Sequence, residues 1–319
     1  MRNRASLNLK KESWMRPGPG KLLLPIVLFL VFATAMTASA EIKPEFKLSA
    51  GYRSDELMWN ISGYPSGCCP NILSELQWKD LQSFNVKASM NADIGKLFYA
   101  RASADYGFMF AGDNQDSDYD GDNRTFEFSR SDNGADAGSL YDLSAGVGYV
   151  IRPRKSDTAF IPMIGYSYHK QDLTITDGYQ TRPPTGSFAG LESSYDARWK
   201  GPWAGIDLIF YRDRWTISTA FEYHVIDYYA EADWNLRDDF EHPVSFEHVA
   251  DGDGFVASIN ADYKLSNNWS FGGAFDYQDF QTEPGVDRTF MTDGTEPETR
   301  LNEVVWSSYA LLMSIKYAF

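Results

Sequence analysis

The chain has two cysteines in 319 residues, adjacent at Cys68 and Cys69, so no disulfide framework holds it together. A bridge between neighbours would close a strained ring, and separate thiols would be free to pair between chains or bind metal. A plain loop is the simplest reading. There are four histidines, His169, His224, His242 and His248, and none stands at H-x-x-x-H metal spacing. The sequence has neither a G-x-S-x-G elbow nor a Walker A loop, so the common hydrolase and nucleotide-binding signatures are missing. Basic residues are scarce, with 29 Lys and Arg against 44 Asp and Glu and a formal charge of −15. That balance argues against nucleic acid as a partner, because phosphate binding needs a basic surface.

Long apolar runs are also missing beyond the N-terminus. There, Lys10, Lys11, Arg16 and Lys21 precede an apolar stretch from Leu22 to about Ala35. Ala38-Ser39-Ala40 then supplies small residues at a cleavage position, which reads as a secretory signal peptide over residues 1–40. Pro25 interrupts the apolar stretch, which is short for a membrane anchor of about 20 residues. Those 40 residues hold six basic and one acidic side chain, so the mature chain, residues 41–319, falls to a formal charge of −20. Such a charge suits cations, cationic peptides or a lipopolysaccharide surface rich in divalent ions.

What the chain does have is alternation. In the last eleven residues, Tyr309, Leu311, Met313, Ile315, Tyr317 and Phe319 are apolar. Ala310, Ser314, Lys316 and Ala318 are small or polar, with Leu312 the exception. A strand sends successive side chains to opposite faces, so this is a half-apolar strand ending on an aromatic residue. Similar β-rich segments lie near 45–62, 73–92, 97–112, 138–151, 158–177, 192–211, 214–231, 250–266, 269–286 and 301–319. Short connections at 93–96, 152–157, 211–214 and 264–268 alternate with long ones at 63–72, 113–137, 178–191, 232–249 and 287–300. This pattern predicts an all-β fold: a ten-stranded antiparallel transmembrane β-barrel in a bacterial outer membrane, with long extracellular loops. Mean hydropathy is −0.39, as expected when half of each strand faces a polar interior. The closing strand is expected beside Phe46, Leu48 and Ala50. His224, opposite in phase to Tyr223, is expected in the lumen.

The order of motifs resembles the omptin family of outer-membrane proteases. Leu73 to Asp80 (LSELQWKD), Gly165 to Gly178 (GYSYHKQDLTITDG), Arg198 to Ile206 (RWKGPWAGI) and the final IKYAF are each similar to an omptin segment. The stretch GDNQDSDYDGDNRTFEFSRS resembles a hallmark of the Protochlamydia outer membrane protein group, an omptin-like set regarded as porin-like or surface proteins. The omptin resemblance implies an Asp-x-Asp pair facing an Asp-x-His pair across an extracellular cleft. Asp116 and Asp118, followed by Tyr119, fit the first pair. Counting forward from Phe221-Glu222-Tyr223 places Asp233 on the second aspartate and Asn235 on the histidine. An amide cannot take a proton from water at neutral pH as an imidazole can. His242 and His248 lie in the same expected loop and could stand in, although neither has the motif spacing.

The same acidic stretch also fits a calcium loop. Asp116, Asp118, Asp120, Gly121 and Glu127 match D-x-D-x-D-G-x5-E, with Asp122 giving a backbone carbonyl, and calcium is the one cofactor the sequence suggests. A solvated acidic loop needs neither role. With Asn235 in place of the base, the expectation is a non-enzymatic surface or porin-like barrel that associates with outer-membrane lipid and lipopolysaccharide and binds a peptide or other cationic ligand. The alternative is an aspartate-dependent endopeptidase. A barrel this small tends to be filled by its own side chains.

Overall fold

The computed structural model describes residues 42–153 and 156–319. The signal-peptide expectation lies outside them, as do residues 154 and 155 of one expected short turn. Twelve strands follow in order: β1 (Ile42–Ile61), β2 (Ser74–Ile94), β3 (Phe98–Gly121), β4 (Thr125–Tyr149), β5 (Thr158–Arg182), β6 (Gly186–Ser187), β7 (Ser193–Arg212), β8 (Trp215–Asp233), β9 (Phe246–Lys264), β10 (Trp269–Thr282), β11 (Gly285–Thr289) and β12 (Glu298–Ala318). Ten of them pair antiparallel in a ring that skips β6 and β11 and closes β12 on β1. Phe46 stands opposite Tyr317, Leu48 opposite Ile315 and Ala50 opposite Met313. The seam is where the alternation placed it.

Strand reaches into the expected long loops. β3 runs on to Gly121, a single turn covers Asp122–Arg124, and β4 starts at Thr125, so most of 113–137 is a tall hairpin. Asp, Asn and Ser are poor strand formers, and composition therefore suggested a loop. Backbone pairing from Asp113 opposite Gly134 up to Gly121 opposite Thr125 overrides that preference. β11 begins in the expected strand 269–286 and carries pairing to Thr289 in the expected loop 287–300, bonding β9 and β12 above the end of the short β10.

The outer surface carries an exposed apolar band, including Phe46, Leu48, Phe84, Ile164, Phe271 and Ile315. Aromatics edge it: Trp269 packs on Tyr317 and Tyr317 on Phe319 at the turn end, and Tyr106 packs on Phe108 at the far end. In β12 the odd residues from Tyr309 to Ile315 face out, whereas Ala310, Leu312, Ser314 and Lys316 are buried inside.

Inside the band, side chains pair charge with charge. Lys47 meets Asp262 at 2.9 Å, Lys87 meets Asp276 at 2.6 Å, and Arg101 bridges Asp207 at 2.9 Å and Glu222 at 2.8 Å. Arg53 donates to both oxygens of Asp55 at 2.9 Å and to Asp142 at 2.6 Å. Above this belt an apolar layer fills the barrel: Leu57, Trp59, Trp78, Tyr195, Trp199, Tyr228, Phe280 and Trp306 are all buried. Phe280 stacks on Trp306 with centroids 5.0 Å apart. Desolvation offsets most of the attraction within buried ion pairs. The aromatic layer contributes more, since truncating one of its large side chains costs about 3–5 kcal/mol.

Candidate functional site

Asp116 and Asp118 lie two apart on β3, well above the apolar band, and therefore share a face. Asp116 stands opposite Leu76 and Asp118 opposite Ser74, so both point to the interior side, as buried Leu76 and Trp78 do. Across from them is the segment after β8: Trp234 hydrogen-bonds Asp116, and the charge of Arg237, itself paired with Asp239 at 2.9 Å, acts on both carboxylates. Burial, with the Asp118 charge adding to it, pushes the Asp116 carboxyl well above the usual carboxylate range, and Arg237 only partly opposes this. Burial also raises Asp118, against hydrogen bonds from Ser74 and Ser129. Two interior carboxyls beside one another share charge poorly, so this pair favours holding a proton.

Asp233 is elsewhere. On β8 the even residues from Glu222 to Ala232 are buried inside, and Asp233 takes the opposite phase. It stands opposite Ser194, whose neighbours Ser193 and Tyr195 are the buried ones. Asp233 thus faces outward, away from the side that Asp116 and Asp118 occupy. The position that does meet Asp116 is Trp234. Asp233 accepts a hydrogen bond from His242 Nδ1 at 2.6 Å, and that bond raises the imidazole above its ordinary value. A carboxylate–imidazole pair therefore exists, formed nine residues apart rather than two. Sequence spacing gave no signal for it beyond the presence of His242 in the right loop.

Asn235 has a structural job. Its Oδ1 accepts from the Glu192 amide at 3.0 Å and the Ser193 hydroxyl at 3.1 Å, and its Nδ2 donates to the Gly190 carbonyl at 2.7 Å. An amide has both acceptor and donor, and the three bonds fasten the end of the 183–192 connection and the start of β7 to the top of β8. An imidazole in its place could not make the same three.

The calcium-loop expectation meets a different geometry. Asp116, Asp118 and Asp120 belong to one extended strand, where same-face residues rise about 6.6 Å apart. Asp122 instead accepts from the Asn71 amide at 2.8 Å, and Glu127 is engaged by Arg130 at 2.6 Å and Arg182 at 3.1 Å. Among the described residues, no three His, Cys, Asp or Glu side chains are placed to hold a metal ion.

Three other histidines are buried and hydrogen-bonded. His224 contacts Ser167 Oγ at 3.0 Å and Glu222 at 3.1 Å, inside the lumen as its phase predicted. His169 bonds Asp142 at 2.9 Å. His248 links Tyr195 at 2.8 Å to Asp287 at 3.1 Å. His248 is wholly buried, which removes it as a stand-in base. On the outside, above Phe110, Asp80, Asp113, Asp136 and Asp177 line a groove of ≈ 320 Å³. The sequence reading did not single out these four; they come together because β2, β3, β4 and β5 run side by side.

A family model described as Protochlamydia outer membrane protein matches residues 47–319. No curated protein matches the chain. Among solved structures, the outer membrane protease OmpT of Escherichia coli is similar, with a TM-score of 0.75 at 14% identity over 89% of this chain and 99% of that one. The translocator domain of the autotransporter NalP of Neisseria meningitidis reaches a TM-score of 0.36 at 9% identity, over 94% of this chain and 96% of that one. OprG of Pseudomonas aeruginosa reaches 0.33 at 10% identity, over 86% and 95%. At 14% identity the OmpT likeness is one of fold. With the match spanning residues 47–319, the chain belongs to the Protochlamydia outer membrane protein family and is a bacterial outer-membrane β-barrel.

Proposed function

We propose that this protein is a non-enzymatic cell-surface barrel, closed through its middle, whose acidic outer part binds cationic groups. The observation that carries this reading is the filled interior: the Arg53–Asp55–Asp142 cluster lies beneath Trp199, Phe280 and Trp306, and no water-wide path is expected through a layer packed this way. The outward phase of Asp233 supports the non-enzymatic half, because a base must come within hydrogen-bonding reach of the water it activates. The groove formed by Asp80, Asp113, Asp136 and Asp177 supports the binding half. A basic peptide or the divalent ions of a lipopolysaccharide layer would supply the matching charge.

An aspartate-dependent endopeptidase is the second reading. The Asp116–Asp118 pair and the 2.6 Å Asp233–His242 bond favour it. One experiment separates the two. Folded protein in lipopolysaccharide is mixed with a fluorescent dibasic peptide. The surface reading expects intact peptide, with anisotropy that rises on binding, falls with salt, and weakens several-fold in an Asp80→Asn/Asp113→Asn variant. Cleavage that disappears in Asp118→Ala would establish the peptidase instead, and no binding at low salt would sink the surface reading.

A further inference from the structure

Cys68 and Cys69 are joined as a disulfide between adjacent residues. The plain-loop expectation therefore gives way to a bridge, and no free cysteine remains among the described residues. We propose that this pair is a surface thiol–disulfide exchange site, which small thiols open to two adjacent thiols without disturbing the barrel.

The placement argues for it. Both cysteines are exposed at the crest of the 62–73 connection, on the outer side of the barrel. Thiolate attack needs access to sulfur, and both residues are exposed, with the Ser66 hydroxyl 3.4 Å from Cys68 Sγ. The loop around the bridge is clamped by other means. Gly63 donates its amide to the Pro70 carbonyl at 2.9 Å, and Gly67 donates to Tyr64 at 2.9 Å. Asn71 is held from three sides: its amide donates to Asp122 at 2.8 Å, its side chain exchanges bonds with Asn123 at 3.1 and 2.7 Å, and its carbonyl accepts from Asn302 at 2.9 Å. None of these uses sulfur. The Arg300 guanidinium lies against Gly67, where a Cβ would meet it at 2.2 Å, and so a cation sits one residue from Cys68. A nearby cation favours the thiolate, both as leaving group and as product.

The exchange balances. A thiolate RS⁻ attacks one cysteine sulfur; the RS–S bond forms as the Cys68–Cys69 bond breaks, and the electron pair leaves on the other cysteine, which takes a proton from water. A second RS⁻ attacks the external sulfur of the mixed disulfide, RSSR departs, and the first cysteine is protonated. Two RSH are oxidised to one RSSR, and one protein disulfide is reduced to two thiols.

The test uses folded protein and a maleimide, read by mass. Without reductant no label is expected. After millimolar glutathione, two labels per chain are expected, both on the peptide holding Cys68 and Cys69, with the compact heat-modifiable band unchanged. A Cys68→Ser/Cys69→Ser variant should fold equally and take no label. Label without reductant, no label after glutathione, a reducible dimer on a gel, or loss of the compact band on reduction would each overturn the proposal.

Discussion

At the scale of the residue, Arg53 and His242 behave differently because one is dry and the other wet. Arg53 is buried between Asp55 and Asp142. Arg53→Ala strands two carboxylates and should cost about 3–5 kcal/mol, measured by urea titration in detergent micelles. Replacing all three by apolar residues should cost far less. His242 is exposed, and its bond to Asp233 raises its pKa. A raised imidazole contributes to the loop fully below its unfolded value, and the contribution is lost as pH rises through the folded value. An NMR titration should place the His242 midpoint above the ordinary value of about 6.5, and Asp233→Asn should bring it back. His224 was legible from its phase against Tyr223. The Asp233–His242 bond was not, because the turn after β8 that joins residues nine apart leaves no periodic trace.

At the scale of the element, the alternating segments were legible to within a few residues, since a strand with one face in lipid must write that face into its sequence. The upper halves of β3 and β4 were not. Above the lipid both faces are polar or covered, and period-two contrast fades. The hairpin is held there by neighbours, with Arg124 on Glu75 and Asn71 on Asp122. Gly51 tests the seam. A Cβ there would lie 2.0 Å from the Leu311 carbonyl oxygen, across the β1–β12 closure. Gly51→Val should destabilise the barrel by about 1–3 kcal/mol and lower the yield of compact, heat-modifiable protein on refolding.

At the scale of the molecule, two layers of different chemistry share one interior. The lower layer matches charges in a space that widens to a ≈ 410 Å³ cavity lined by Lys47, Arg101, Asp207, Asp262 and Lys316. The upper layer is the aromatic core around Trp199 and Trp306. Net charge was readable from composition. That a ring this small would be filled was readable, but the residues that fill it were not, because Trp59, Trp78, Trp199 and Trp306 come from four strands and meet only when the ring closes. This closed interior is the centre of the account, and it can be read directly. Purified, folded protein is inserted into a planar lipid bilayer in molar salt, and current is recorded under voltage. A sealed barrel predicts a flat baseline with insertion verified independently, and steps of current only after Trp199→Ala/Trp306→Ala thins the layer. Stable unitary steps from the unaltered protein would contradict it.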